Sequence, residues 1–254
     1  MEELEMKRIN VLLIGIFLVA VPGFFPGCVT DTASLKIEKS LPQDKLAYYN
    51  DSFDKFRTDL WDKAGYIANP AQEANFKLAK IEVRSGKFRI ETETGCFSKG
   101  GLGSKYGLRG DFDIQVDCQI DFLDDAYDMD QLLLFAVLDK GQDLDNGTSV
   151  LLSMLKEEDS DFNAVFSAFM KNGELHLGNW DRRRNWDVAN NFNGTLRIVR
   201  IEDRTSTLFK RKGDTQWNMI ENFQSITNDI MVGFSLSNFI SMRTSITAKA
   251  PITA

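Results

Sequence analysis

The segment 179–187, NWDRRRNWD, carries the most distinctive chemistry in the sequence. Trp180 and Trp186 offer flat aromatic surfaces on which a sugar ring can stack. Arg182, Arg183 and Arg184 lie between them and offer bidentate hydrogen-bond donors that suit an acidic saccharide. Tryptophan and arginine also contribute much of the binding energy at protein–protein interfaces. The segment therefore predicts a binding loop. The alternative is that a tryptophan caps the core while the arginines pair with nearby acids.

A second candidate set lies in the segment 111–122, DFDIQVDCQIDF, where polar and apolar residues alternate strictly. This period of two indicates a β-strand with one wet face. Asp113, Gln115 and Asp117 fall on that face and could hydrogen-bond sugar hydroxyls. A solvated outer face without a ligand is the interpretation that we favour.

The acidic run that follows could hold a metal ion. Asp124, Asp125 and Asp128 supply the carboxylate oxygens that calcium prefers. The run lacks the Asp-x-Asp-x-Asp-Gly order of a dedicated calcium loop, so calcium is the weaker interpretation of these residues. No other cofactor is indicated, because a single His excludes sites built from clustered imidazoles.

The overall composition is that of a globular protein. The chain has 254 residues, of which 43% are hydrophobic and 26% are charged, and this length predicts one domain or two small ones. Its formal net charge of −7 argues against a protein that binds the phosphate backbone of nucleic acids.

The N-terminus has the layout of an export signal. Lys7 and Arg8 precede an uncharged apolar run at 9–25, and Cys28 follows it. The junction resembles a bacterial lipobox, in which lipid is attached to the cysteine and the leader is removed. We therefore expect a leader at 1–27, a tether at 28–43 and a folded domain at 44–254. This predicts a lipid-anchored protein of the bacterial cell envelope, or alternatively a secreted or membrane-tethered one.

Two further cysteines fall within predicted strands. Cys96 and Cys118 both lie at positions that the alternation assigns to the apolar side. Export would place them in an oxidising compartment, where they could form one disulfide. Two buried, unpaired thiols are an equally good interpretation.

Most of the chain predicts short strands separated by turn residues. No helical pattern intervenes between them, which is typical of an antiparallel sandwich or barrel. Besides 111–122, the predicted strands are 131–138, 148–155, 162–170, 173–178, 195–201, 206–211 and 230–239.

One segment shows a helical period instead. Leu46, Tyr49, Phe53, Phe56 and Leu60 recur at intervals of three and four residues, which predicts a short amphipathic N-terminal helix. An irregular opening strand is the alternative.

The run 95–122 resembles the early strands of bacterial concanavalin A-like, laminin-G/glucanase-type domains. Their "SKY-x-L-x-GDFD" pattern is matched by Ser104, Lys105, Tyr106, Leu108, Gly110, Asp111, Phe112 and Asp113. The likeness extends over about 45–240 and is nearest to domains of unknown function. It implies an all-β, antiparallel jelly-roll β-sandwich, and the early pattern argues for the irregular opening strand over the helix.

A hydrolase of this fold would carry two nearby carboxylates on one strand. The best match is Glu157-Glu158-Asp159-Ser160-Asp161, which fails because Glu158 and Ser160 would point into the core and the last acid is Asp. We therefore predict non-catalytic binding of a carbohydrate or envelope component. The alternatives are a glycoside hydrolase or lyase with an unrecognised site, and a structural module that binds protein.

Overall fold

The computed structural model describes residues 8–18, 47–63, 76–94, 96–122, 129–140, 147–156, 163–171, 174–177, 186–187, 191–224 and 228–240. Most of these residues lie in strands of two facing sheets. Among the described residues, no helix is both long and apolar enough to cross a bilayer.

Sheet A has seven strands within the described part of the chain. They are β1 (Arg8–Leu18), β4 (Lys80–Val83), β5 (Phe88–Glu93), β7 (Phe112–Asp121), β13 (Asn191–Ile201), β14 (Arg204–Arg211) and β15 (Asn218–Gln224). Their order in the sheet is β15-β14-β13-β7-β1-β5-β4. Every neighbouring pair in it is antiparallel.

Sheet B has nine described strands. They are β2 (Trp61–Asp62), β3 (Lys77–Leu78), β6 (Ser98–Ser104), β8 (Met129–Asp139), β9 (Ser149–Lys156), β10 (Asn163–Lys171), β11 (Glu174–Leu177), β12 (Trp186–Asp187) and β16 (Ile230–Ile240). Seven of them follow the order β11-β10-β9-β8-β16-β6-β2. Strand β12 pairs with β10, and β3 pairs with β6 in parallel.

One continuous apolar core fills the space between the two sheets. Sheet A contributes Ile90, Val116 and Ile198, and sheet B contributes Phe135 and Phe234. All of them are at most 1% exposed. Burial also alternates along β7, as the sequence pattern predicts for a strand with one apolar face. The all-β sandwich predicted from the sequence is confirmed.

The opening segment buries Phe53 and Leu60 without continuing the predicted amphipathic helix. Within the described residues 47–63, helical backbone is confined to residues 47–49. The chain then turns at Phe53, whose φ of 54° is incompatible with a continuing α-helix. The buried Asp51 carboxylate fixes this shape, because it accepts hydrogen bonds from the Phe53 amide (2.8 Å) and the Trp61 indole nitrogen (2.7 Å). The described path is irregular, as the alternative has it, although only Trp61 and Asp62 of it form a strand.

The structure also places part of the predicted leader in sheet A. Strand β1 lies between β5 and β7 and is antiparallel to both. A continuous apolar run fits a buried strand as well as it fits a leader. The division at residues 27 and 43 remains a prediction, since residues 19–46 lie outside the described part of the chain.

Candidate functional site

On the solvent side of sheet A, polar side chains of three neighbouring strands lie next to one another. Residues directly opposite each other in neighbouring strands share a face. Gln115 of β7 therefore shares its face with Arg197 of β13, and Asp117 shares it with Thr195. The same register adds Lys210 of β14, which lies opposite Thr195. We call this set, together with Asp113 of β7 and Trp217, the polar face.

A bidentate ion pair lies at the centre of the polar face. Nε of Arg197 lies 2.8 Å from Oδ1 of Asp113, and Nη2 lies 2.5 Å from Oδ2. The side chains of Arg197 and Asp113 are only 6% and 10% exposed. The pair is therefore largely desolvated, and each charge depends on the other for its stabilisation.

Two further hydrogen bonds orient the polar groups beside this pair. The Gln115 side-chain amide donates to Asp113 Oδ1 at 3.4 Å, and the Thr195 hydroxyl donates to Asp117 Oδ1 at 2.5 Å. Gln115, Asp117 and Thr195 remain half-exposed. The face therefore presents donors and acceptors whose positions are set before any ligand arrives.

An indole ring lies at one side of these groups. Trp217 precedes β15 and is half-buried. The Arg197 guanidinium lies 5.1 Å from its ring centroid and the Lys210 ammonium lies 4.8 Å away. Both distances permit cation–π attraction, which holds the ring in place.

The pairing of Asp113 does not suit hydrolysis at this face. Glycosidases use two carboxyl groups, one as general acid and the other as nucleophile or base. Arg197 holds both carboxylate oxygens of Asp113, so Asp113 is not free for either role. Asp117 remains half-exposed.

No cation site appears in the described ranges, where no three His, Cys, Asp or Glu side chains come close enough together to hold a metal. The predicted calcium ligands Asp124, Asp125 and Asp128 lie outside those ranges, as does the predicted lipidation site Cys28.

The structure describes only part of the two predicted binding sets. Asp113, Gln115 and Asp117 lie together on sheet A. The backbone of Trp186 pairs with Val165 in sheet B. The remaining predicted residues of the loop, Trp180, Arg182, Arg183 and Arg184, lie outside the described residues.

The two described cysteines are free thiols in this structure. Cys118 lies in the core, and burial raises the pKa of its thiol far above the ordinary value. Cys96 is half-buried in the turn after β5, where burial also raises its thiol pKa. Cys118 thus has the burial that the alternation predicts, whereas Cys96 is buried less than the alternation predicts.

Sequence reasoning missed four members of the polar face: Thr195, Arg197, Lys210 and Trp217. A signal for two of them is present, because Thr195 and Arg197 alternate with the buried Leu196 and Ile198. Their partners on β7 are about eighty positions away in the sequence. Only the pairing register of β7 with β13 reveals that they meet.

Comparison with known proteins adds evidence about the fold. No family model matches the chain, and no curated protein matches it in sequence. A β-glucanase of Bacillus licheniformis superposes with a TM-score of 0.53 at 16% identity, covering 80% of this chain and 90% of the enzyme. A legume lectin-like domain from Entamoeba histolytica gives 0.46 at 13% identity, covering 70% and 85% of the two chains.

At such identities, structural similarity describes the fold alone. The glucanase match agrees with two antiparallel sheets enclosing one core. The chain thus has the fold of a concanavalin A-like jelly-roll β-sandwich.

Proposed function

We propose that this protein is exported, anchored to the bacterial cell envelope by lipid on Cys28, and binds a carbohydrate without changing it chemically. The observation that carries the proposal is the polar face of sheet A. There a half-buried Trp217 lies beside hydrogen-bonding groups in fixed positions.

The chemistry of the polar face matches that of a sugar. A pyranose ring presents an apolar face that can pack on an indole, and hydroxyls at its rim that both donate and accept hydrogen bonds. Gln115 provides a donor and an acceptor, whereas Asp117 provides acceptors. The half-exposed Lys210 adds a positive charge, which favours a saccharide that bears carboxylate or sulfate groups. The β-glucanase shares this fold, and carbohydrate is the ligand class that we carry over from it.

The ion pair of Asp113 supports binding without catalysis. Arg197 holds both oxygens of Asp113, whereas glycoside hydrolysis requires two carboxyl groups that act on the same bond. An incubation with β-glucans and acidic polysaccharides, followed by chromatography of the products, tests this part of the proposal. Release of oligosaccharides that stops when Asp117 is changed to Asn would show an enzyme instead.

Binding is tested with a glycan array and by co-sedimentation with insoluble polysaccharides. Trp217→Ala removes the stacking surface and should weaken binding by about tenfold or more, the equivalent of ~1.4 kcal/mol. Leu78→Ala is the control, because Leu78 is an apolar side chain that is accessible to solvent but lies on β3 in sheet B. Equal binding by both variants would rule out the polar face.

The predicted loop provides a second pair of variants for the same assay. If Trp180→Ala and Trp186→Ala abolish binding while Trp217→Ala preserves it, the ligand binds at the loop 179–187 instead. Failure of the wild-type protein to bind any saccharide would contradict the carbohydrate proposal as a whole.

Export and anchoring are tested separately from binding. Mass spectrometry of the protein purified from bacterial membranes should show an N-terminal lipidated cysteine at position 28. Cys28→Ala should leave the leader attached or release the protein from the membrane. Native protein that is found in the cytoplasm with residues 1–27 still attached would refute this part.

A further inference from the structure

A second group of side chains repeats the chemistry of the polar face on another part of the surface. Tyr48 is 51% exposed, and the guanidinium carbon of Arg57 lies 4.7 Å from its ring centroid. Arg57 also forms a bidentate pair with Asp59, in which Nε lies 3.3 Å from Oδ1 and Nη2 lies 2.5 Å from Oδ2. We call Tyr48, Arg57 and Asp59 the Tyr48 site.

The Tyr48 site and the polar face share three features. In each, an arginine lies within cation–π distance of an aromatic ring. In each, the same arginine donates to both carboxylate oxygens of an aspartate. In each, a side-chain hydroxyl donates to an aspartate, and at the Tyr48 site this is the Tyr48 hydroxyl, 2.7 Å from Asp59 Oδ2. An aromatic surface thus lies beside oriented polar groups at both places.

The polar groups of the Tyr48 site are the more accessible of the two sets. The side chains of Arg57 and Asp59 are 22% and 47% exposed, whereas the corresponding pair of the polar face is 6% and 10% exposed. Among the described residues, protein acceptors engage three of the five N–H groups of Arg57, the third acceptor being the Tyr48 carbonyl oxygen at 3.0 Å. The hydrogen bond from Arg57 lowers the pKa of Asp59 far below its ordinary value. Arg57 therefore keeps donors for a ligand, and Asp59 is an ionised acceptor at neutral pH.

The Tyr48 ring is held in place although half of its surface faces solvent. Besides the two contacts within the site, Tyr49 meets it edge-on with the ring centroids 5.3 Å apart. Tyr49 packs on the half-buried Tyr106 at 4.7 Å, and Tyr106 packs on the buried Trp61 at 5.8 Å. Binding costs less conformational entropy when the contacting side chains are already ordered. Tyr48 is therefore a preorganised aromatic surface.

The two sites lie at opposite edges of the sandwich. Trp217 directly precedes β15, and β15 packs against β10 of sheet B. The row of rings that begins at Tyr48 leads instead to Trp61 of β2, at the other end of sheet B. Five strand steps of ~4.8 Å separate β10 from β2, a distance on the order of 24 Å. A mono- or disaccharide therefore cannot occupy both sites at once, whereas a long polysaccharide can.

We propose that the Tyr48 site is a second carbohydrate-binding site, and that the two sites together bind a long polysaccharide. This inference rests on the proposed carbohydrate binding at the polar face, because the shared chemistry carries the ligand class from one site to the other. Two sites on one chain raise the affinity for a polymer above that of either site, since the second contact is intramolecular. The remaining N–H groups of Arg57 and the Lys210 ammonium favour a polymer that bears carboxylates.

Affinity gel electrophoresis and light scattering test this proposal. The probes are polygalacturonate, which is a carboxylated polymer, its trisaccharide, and laminarin, which is a neutral β-glucan. Tyr48→Ala and Trp217→Ala should each lower the affinity for a polymer at least tenfold, because each leaves one site. The wild-type protein should also cross-link polygalacturonate into light-scattering aggregates, and either variant should abolish this cross-linking.

Three further variants control for loss of structure and for charge. Leu78→Ala removes a 63% exposed side chain on β3, which pairs with β6 at the same edge of sheet B, and should bind like the wild type. Tyr48→Phe keeps the ring and should retain most of the polymer affinity. Arg57→Gln should weaken binding to polygalacturonate more than binding to laminarin, and equal weakening would overturn the preference for carboxylates. Urea midpoints verify that each variant is folded.

The outcomes distinguish this inference from the proposed function. Wild-type affinity and cross-linking in Tyr48→Ala overturn the inference, and the polar face stands if Trp217→Ala loses binding. Loss of binding in Tyr48→Ala with wild-type behaviour of Trp217→Ala overturns the polar face and leaves the Tyr48 site. Reduced polymer affinity in both variants, each of which still binds the trisaccharide, supports both proposals. A wild-type protein that binds none of the three saccharides overturns both.

Discussion

The ion pair between Asp113 and Arg197 should contribute far more to stability than a second pair with the same chemistry. Arg109 and Asp229 also form a bidentate pair, with distances of 2.8 and 2.9 Å. The Arg109 side chain is 85% exposed, whereas that of Arg197 is 6% exposed. The two pairs therefore test the effect of burial at nearly constant geometry.

We expect Asp113→Asn to reduce the free energy of unfolding by about 3 kcal/mol or more, because it leaves a desolvated guanidinium without its counter-charge. With a urea m-value of about 2–3 kcal/mol/M, the midpoint should fall by roughly 1 to 1.5 M. Asp229→Asn should leave the midpoint nearly unchanged, because water and salt screen an exposed pair.

The assay is equilibrium urea denaturation of each variant, followed by tryptophan fluorescence and far-UV circular dichroism. The double variant Asp113→Leu with Arg197→Met removes both charges and should recover most of the loss. Equal midpoints for Asp113→Asn and Asp229→Asn would refute the reasoning, because Arg197 would then be solvated.

Three further predictions concern single positions. Cys118 should resist alkylation by iodoacetamide in the folded protein while Cys96 reacts faster, because burial is complete at Cys118 and partial at Cys96; mass spectrometry that finds them disulfide-bonded would contradict this. Burial raises the pKa of Asp139, so the folded protein binds a proton at this carboxyl more readily than the unfolded protein does. The ionised carboxylate therefore destabilises the folded protein at pH values above its folded pKa. This loss of stability disappears well below the ordinary pKa of 3.8. Asp139→Asn should therefore stabilise the protein at pH 7, with a difference that vanishes in acid denaturation curves. Gly101→Ala should destabilise by about 1–3 kcal/mol in the same urea assay, because its Cβ would overlap the Phe234 carbonyl oxygen; an unchanged midpoint would show that the strand can shift.

The alternation of polar and apolar residues allowed much of the sandwich to be predicted. The predicted strand 111–122 corresponds to β7, and 230–239 corresponds to β16. Such patterns work because the period of two reports directly which side faces the core. The short strands β2 and β3 escaped prediction, because two residues cannot display a period.

The opening segment shows how the same pattern can mislead. Phe53, Phe56 and Leu60 have helical spacing, and all of them pack in or against the core. The hydrogen bonds of Asp51 fix an irregular path instead. Spacing predicted which residues are buried, but tertiary contacts decided the backbone conformation.

The polar face could be predicted only in part, for a reason that lies in topology. The sequence pattern placed Asp113, Gln115 and Asp117 on one side of a strand. It could not show that β13 pairs with β7, since register between distant strands depends on the whole fold. The contact with Arg197, which changes the chemistry of these residues most, could therefore not be predicted from the sequence.

That pairing separates stability from binding along a single strand. Arg197 donates hydrogen bonds to both carboxylate oxygens of Asp113 in a buried ion pair. Asp113 therefore contributes to folding and has little acceptor capacity for a ligand. Asp117 receives one bond from the Thr195 hydroxyl and stays half-exposed, so it keeps acceptor capacity. Asp117→Asn should therefore weaken saccharide binding at nearly constant stability, whereas Asp113→Asn should lower stability first. The two aspartates have the same side chain on the same face, and the residue of β13 that hydrogen-bonds to each one determines its role.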